Sequence, residues 1–473
     1  MYGHEMLETD YLVIGAGAMG MAFADVLLTE TDARVVLVDR HAKPGGHWND
    51  AYPFVRLHQP SAFYGVNSRP LGADRIDTHG WNAGLYELAS GAEVLAYYDQ
   101  VMHQQFLPSG RVEYFPMSSY EPDADGGDVH EFRSLVTGEV HQVRARTLVD
   151  ATYMNVSVPS QRPPAYDVAD GAFCAPLNAL PSTRSPHDGF VVIGAGKTGA
   201  DACLWLLANG VDPDTIRWIM PRDSWYLDRA VIQPGDGFDE STAAFGRSFQ
   251  HAAESTSIDD LFDRLEADGA LLRLDPEVEP TMYRCSTVTQ AELEQLRRIE
   301  HVVRLGRVRS IGVDEIVLDE GTIPTTPNTF HVDCSADGLE RRPPVAVFDA
   351  ASSRITLQTV RHCQQVFSAA FIAHVEAAYD DIEKKNALCT VVPHPDTALD
   401  WLRTMHGNIM NMATWSAEPE LIEWLANARL DGFSQPGEPS AATVAARETA
   451  MGFALPALEK LQAYLQRGVA TIQ

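Results

Sequence analysis

The chain has 473 residues, enough for two or three domains with cores of their own. Its hydrophobic content of 45% and aromatic content of 9% are those of a globular protein rather than a disordered one. A formal net charge of −29 argues against nucleic acid and against anionic membrane surfaces as partners.

The first ten residues carry Glu5, Glu8 and Asp10 and no apolar core, so no signal peptide is expected. No window approaches the run of about 18 apolar residues that a membrane helix needs. The run Tyr11-Leu-Val-Ile14 then reads as a strand, followed by Gly15-Ala-Gly17-Ala-Met-Gly20 and a helical stretch through Leu28. A second apolar run, Arg34 to Val38, ends on Asp39. This is a strand, a tight turn, a helix and a second strand ending on a carboxylate, the context that a dinucleotide fingerprint demands. Gly15 permits the turn, Gly17 lets a pyrophosphate approach the backbone, and Gly20 lets the helix pack close to the strand. The helix N-terminus favours a diphosphate, and Asp39 can accept hydrogen bonds from a ribose.

After Asp39-Arg40 come Pro44-Gly-Gly-His-Trp48 and Tyr52-Pro-Phe-Val-Arg56-Leu-His58-Gln59-Pro60-Ser61. Together with the preceding turn, these segments resemble the class B flavoprotein monooxygenases, which include the flavin-containing and Baeyer–Villiger monooxygenases. The resemblance implies that Gly15, Gly17, Gly20, Asp39 and Arg40 bind FAD. It also implies that Gly46, Trp48, Arg56, His58 and Gln59 lie near the isoalloxazine ring. Arg56 and His58 are then candidate catalytic residues: a cation aimed at the negative charge of the reduced ring, and a proton donor near neutral pH. Baeyer–Villiger relatives usually carry aspartate where this chain has His58. The alternative is an Arg56–Asp50 ion pair with His58 packed on Pro60.

Residues 83–106 place apolar side chains at helical spacing, with Leu95, Tyr98, Val101 and Met102 on one face. A meander of short strands follows from Arg111 and ends in Leu148-Val-Asp-Ala-Thr152, similar to the family's strand-plus-ATG linker with Tyr153 in place of glycine. The proline-dense stretch 157–188 marks a domain boundary. The family's FxGxxxH motif should sit here, but the chain keeps only Phe173 and has Ala175 and Ala179 where glycine and histidine belong. Gly189 to Ile193 then leads into Gly194-Ala-Gly196-Lys197-Thr198-Gly199, a second fingerprint of the same design, which suits a nicotinamide cofactor. The next strand ends at Pro221-Arg222. An arginine there can pair with an adenosine 2′-phosphate, favouring NADP over NAD; the alternative is a solvated surface residue. Asp223-Ser-Trp225 continues the resemblance.

Residues 233–330 match no family pattern. Ile258–Leu272 and Gln290–Val303 read as helices, with strands near Val302, Arg307 and Glu315. Phe330-His-Val-Asp-Cys-Ser-Ala336-Asp337-Gly338-Leu339 resembles the strand that returns the chain to the FAD domain. From Ser368 the pattern is helical. Trp401, Met405, Met412 and Trp415 are core residues or the lining of an apolar pocket. The six cysteines, 174, 203, 285, 334, 363 and 389, form no CxxC or CxxxxC, so neither a disulfide framework, a zinc site nor a paired redox motif is expected, and the expected compartment is a reducing cytoplasm.

The expected fold is α/β, with two Rossmann-like dinucleotide-binding domains, the NADP domain inserted into the FAD domain, and a C-terminal helical cap. Residues 1–160 and 330–395 would form the FAD domain, 161–329 the NADP domain and 396–473 the cap. The resemblance implies an FAD-dependent oxidoreductase reduced by NADPH, a monooxygenase acting on a small organic substrate with dioxygen. No metal is needed, and no nucleic acid or membrane partner is expected; self-association into a homo-oligomer is left open. Two alternatives remain: a flavin-dependent NAD(P)H oxidase or dehydrogenase without oxygen insertion, and a non-catalytic flavin- or nucleotide-binding protein.

Overall fold

In the computed structural model, residues 6–121, 127–183, 186–336, 338–434 and 437–470 are described; Asp337 of the returning segment lies outside them. Two sheets organise these residues, and in each a central parallel strand runs into one of the glycine turns. The first is built on β1 (Leu7–Ile14), which lies between β2 (Val35–Val38) and Val140–Asp150, parallel to both. Arg354–Thr356 extends it beyond Val140–Asp150, and Val112–Phe115 extends it beyond β2. Helix α1 (Ala18–Glu30) is buried from Met19 to Leu27 because it lies between this sheet and the helix Gln365–Ala378. Both faces of β2 are covered as well, so it reads as an unbroken apolar run rather than an alternating one.

The second sheet runs, in spatial order, Val302–Val303, Ile216–Ile219, Gly189–Ile193, Thr329–Asp333 and Phe173–Pro176, all parallel. The strand Thr329–Asp333, expected to begin the return, belongs to this second sheet; the chain rejoins the first at Phe348–Asp349 and Arg354–Thr356. The mixed α/β fold with two Rossmann-like units and a helical C-terminal region is as expected.

Several elements are shorter than periodicity predicts. The helix expected over 83–106 starts at Gly91, where Ser90 and Glu93 form a reciprocal cap, and it runs to Val101 before a wider turn over Met102–Phe106. The expected helix 258–272 stops at Ala267, because Gly269 turns left-handed at φ +77° and releases Leu271–Leu272 as a strand. That expected over 290–303 covers only Gln290–Leu296. The cysteine spacing also misleads: Cys285 and Cys363, 78 residues apart, are joined in a disulfide that no short motif announces. Among the described residues no helix is long and apolar enough to cross a membrane.

The C-terminal helices, Ala398–Trp415, Pro419–Asn427 and Ala441–Ala470, are bound to both halves. The last packs on Phe238–Glu254 so closely that a Cβ on Gly246 would stand 2.9 Å from the Ala446 carbonyl oxygen. Arg361, on the loop before Gln365–Ala378, forms a buried ion pair with Asp431, and its guanidinium lies 3.9 Å from the Phe367 ring centroid. Removing one partner strands the other charge without water, at a cost of about 3–5 kcal/mol. Asp431→Ala is therefore expected to lower the stability of the chain by that amount in urea denaturation, whereas Glu438→Ala, on an exposed loop, is expected to change little.

Candidate active site

The first glycine turn has the geometry of a diphosphate cradle. Gly15 adopts φ +103°, and a Cβ on Gly20 would overlap the Gly15 carbonyl oxygen, so helix and strand meet only through glycine. Gly17 caps α1 without a side chain, which leaves the first helical N–H groups to a ligand. The Gly45 N–H donates to the Ala16 carbonyl at 2.8 Å, and a Cβ on Gly46 would come within 2.9 Å of Gly17 Cα. The second glycine pair is thereby locked onto the first turn. This cradle fits the pyrophosphate of FAD.

Asp39 stands at the end of β2, buried, with Oδ2 accepting from the Ala16 N–H at 2.6 Å and Oδ1 from the His41 N–H at 2.7 Å. Sequence reasoning missed His41. Its ring bridges Asp39 at 3.0 Å and Asp50 at 2.8 Å, and the hydrogen bond to Asp39, opposed by burial, raises its pKa. Asp50 is thus taken by His41 and does not pair with Arg56. Trp48 Nε1–H donates to the Tyr64 hydroxyl at 2.8 Å.

A cavity of about 800 Å³ opens from this cradle. Gly15, Gly17, Asp39, Arg40, Gly46 and Trp48 line it, and so do Arg56, His58 and Gln59. Gly20 lies behind the turn. Arg56 is exposed at the rim, its backbone bridged to Ser90. His58 is half-buried, and burial, with help from the Lys197 and Arg229 charges, pushes its pKa down to about 3. At neutral pH His58 is therefore a neutral hydrogen-bonding group and not a cationic proton donor. Its backbone carbonyl accepts from Arg229 Nε at 2.8 Å; Arg229 is itself buried and paired with Glu292 at 3.0 Å. Nothing local in the sequence marks Arg229, because it acts across 171 positions.

The second turn repeats the design. Gly194 adopts φ +131° with its carbonyl held by Trp218 Nε1–H at 2.8 Å, and a Cβ on Gly199 would overlap that carbonyl. Gly196, Lys197 and Thr198 face the same cavity as the first turn. Lys197 pairs with Asp201, which also accepts from the Tyr52 hydroxyl, so the two turns are tied through one carboxylate. Arg222 does not stand free: it forms a bidentate pair with Asp396 at 2.9 and 3.0 Å. Arg284 at 2.6 Å and Arg341 at 2.7 Å share that carboxylate, so three guanidinium groups converge on it. Burial opposes ionisation of Asp396, but the hydrogen bonds from Arg222 and Arg284 win and hold its pKa at about 2. Phe173, the remnant of the FxGxxxH motif, sits on the edge strand of the second sheet, 44% exposed and stacked on His187.

A second cavity of about 180 Å³ lies next to the first and shares Gln59, Phe63, Cys363 and Gln364 with it. Trp401, Met405 and Met412 line this smaller, apolar space. Trp401 and Met405 also belong to a buried cluster, so that stripe is both core and lining.

A family model described as an NAD(P)-binding Rossmann-like domain matches residues 13–65. The open crystal structure of cyclohexanone monooxygenase superposes with a TM-score of 0.50 at 14% identity, covering 98% of this chain and 98% of that one. A flavin-containing monooxygenase from Stenotrophomonas maltophilia gives 0.49 at 16% identity over 81% of this chain and 100% of its own. The fold is shared with cyclohexanone monooxygenase, and here the two glycine turns face one cavity. In sequence, the chain is 56% identical over 426 residues to Uncharacterized protein Rv2000 of Mycobacterium tuberculosis, covering 90% of this chain and 78% of that protein. The chain belongs to the same family as that mycobacterial protein.

Two tests follow from this geometry. Gly17→Val places a branched side chain where a diphosphate would approach, and is expected to give folded but colourless protein against an expected yellow wild type with about one FAD per chain. The raised pKa of His41 means that the protonated ring stabilises the folded chain. That contribution is complete below the ordinary histidine value of about 6.5 and is lost as pH rises through the elevated one. The melting temperature of wild type should therefore fall towards that of His41→Gln across this window; a gap between them that does not narrow would remove the clip from the account.

Proposed function

We propose that the chain is an FAD-dependent oxidoreductase reduced by NADPH, and that it is a monooxygenase placing one oxygen atom of dioxygen on a small organic substrate. The observation that carries this is the opening of both glycine turns onto one cavity. When bound, FAD takes a hydride equivalent from the nicotinamide and supplies the oxygen chemistry. The chain binds and orients. The amides at the start of α1 hold one diphosphate, and those of Gly196 to Thr198 hold the other. Arg229 fixes the loop 56–60 through the His58 carbonyl. Arg56 contributes a cation at the rim, and neutral His58 a hydrogen bond within the cavity. The apolar second cavity, lined by Trp401, Met405 and Met412, excludes water and takes a substrate of modest size and low polarity. The proposed compartment is the cytoplasm, where NADPH is regenerated, and the domain limits are those given by the sequence except that the second unit extends through Asp333.

One observation favours a second reading. With Ala175 and Ala179 in place of the glycine and histidine of FxGxxxH, the segment that serves NADPH and oxygen handling in the family is altered, which suits an NAD(P)H oxidase. Mixing the yellow protein with NADPH in air separates the two: an oxygenated product that depends on added apolar substrate supports the monooxygenase, and peroxide alone supports the oxidase. Failure of NADPH to bleach the flavin would overturn both.

The arginine cluster at Asp396 is the proposed seat of the 2′-phosphate. Arg222→Ala should lower the NADPH/NADH preference by roughly one to two decades, the loss of one charge-assisted pair of about 1.5–3 kcal/mol. An unchanged ratio of kcat/KM for the two donors would assign Arg222 to holding Asp396 alone.

A further inference from the structure

The disulfide Cys285–Cys363 lies on the wall of the cofactor cavity, and Cys363 also faces the smaller apolar cavity. A disulfide that only staples a fold has no need of this position. Nor has it need of the group beside it: His362 Nε2 lies 3.1 Å from Cys285 Sγ. The tautomer of that ring follows from Asn408. Asn408 Oδ1 accepts the His362 backbone N–H at 3.1 Å, so its amide nitrogen is the atom turned to His362 Nδ1, at 3.5 Å. Nδ1 is then the acceptor and Nε2 carries the hydrogen, directed at the sulfur. Burial, followed by the neighbouring His394, holds the His362 pKa down to about 3, so the ring is neutral before any reaction.

We propose that Cys285–Cys363 is a redox-active disulfide that accepts two electrons from the reduced flavin. The inference rests on the function proposed above, which supplies NADPH as reductant. The electron pair arrives at Cys363 Sγ and the S–S bond breaks. Cys285 leaves as the thiolate, stabilised by the hydrogen bond from His362 Nε2–H, and the two sulfurs take up one proton from the reduced flavin and one from solvent. Overall, NADPH, one proton and the disulfide give NADP+ and two thiols, with the flavin returned to its oxidised form. In the reducing cytoplasm proposed above, structural disulfides are rare and those that occur are mostly catalytic or redox-sensing, which agrees with this placement. With both sulfurs bonded to each other, the cluster of Cys285, Cys363 and His394 offers a metal only His394.

The test is an anaerobic titration of the FAD-loaded protein with NADPH, followed by acid quench, alkylation and peptide mass mapping. The remaining cysteines, Cys174, Cys203, Cys334 and Cys389, are free and serve as internal controls. Before NADPH, Cys285 and Cys363 should resist alkylation. Afterwards both should be tagged, and full reduction should consume about two equivalents of NADPH per chain, against about one in Cys363→Ser. His362→Ala should slow the appearance of both thiols about a hundredfold at neutral pH, since it removes the hydrogen bond that stabilises the leaving thiolate. Bleaching of the flavin with the pair still blocked overturns this proposal alone. A pair already open to alkylation before NADPH overturns it too. A flavin that NADPH does not bleach overturns it together with the function on which it rests.

Discussion

The contact on which the rest depends is backbone on backbone: the Gly45–Gly46 pair pressed against the turn Gly15–Gly17. Gly45 donates to Ala16, and Gly46 lies too close to Gly17 to carry a side chain. At that distance neither dispersion nor hydrogen bonding tolerates even one methyl, so the path of the chain after β2 is set before any side chain is considered. From Gly46 the loop can only pass over the mouth of the first cradle. His41 clips it to Asp39 and Asp50, and Trp48 anchors it on Tyr64. Tyr52 reaches across to Asp201 of the second unit. One close approach of four glycines thus aligns two nucleotide cradles on a common cavity.

What holds the far side of that cavity is electrostatic and long-range. Arg229 reaches the His58 carbonyl, and Arg429 reaches the carbonyls of Ala62, Tyr64 and Val66 from the C-terminal region. Arg229 is buried and Arg429 half-buried, and each satisfies several carbonyls at once, a task that suits the planar fork of arginine and not the point charge of lysine. The inserted segment and the C-terminal helices are therefore part of the site, since without them the 56–66 loop has unsatisfied carbonyls on its inner side.

This division explains what could be read in the amino-acid sequence. The glycine turns were legible because their requirements are local: a left-handed φ at Gly15 and Gly194, and no Cβ at Gly20 and Gly199. Asp39, Gly46 and Trp48 were legible because they follow within a short loop. Arg229 and the Cys285–Cys363 pair were not, since each acquires its role from a partner brought in by the fold, across as many as 171 positions for Arg229, and His41 was not because no spacing pattern marks an imidazole bridging two acids of one loop. Helix ends were misplaced where a cap or a left-handed glycine stopped an apolar period that otherwise continued, as at Ser90 and Gly269. Arg222 was read as a free cation because the sequence does not show Asp396 beside it.

The charge balance of the chain gains meaning at the same place. A protein of net charge −29 repels the anionic cofactors its cradles fit. Arg40, Arg56, Lys197, Arg284 and Arg354 line the main cavity; Lys197, Arg284 and Arg354 are paired with Asp201, Asp396 and Asp150, while Arg40 and Arg56 are exposed. Surface acids more than about 8–10 Å away are screened by salt, while charges inside a low-dielectric cleft are not. Arg40 and Arg56 therefore present cations at the cleft. An acidic exterior and these two cations together repel most polyanions and admit those that fit between the two glycine turns.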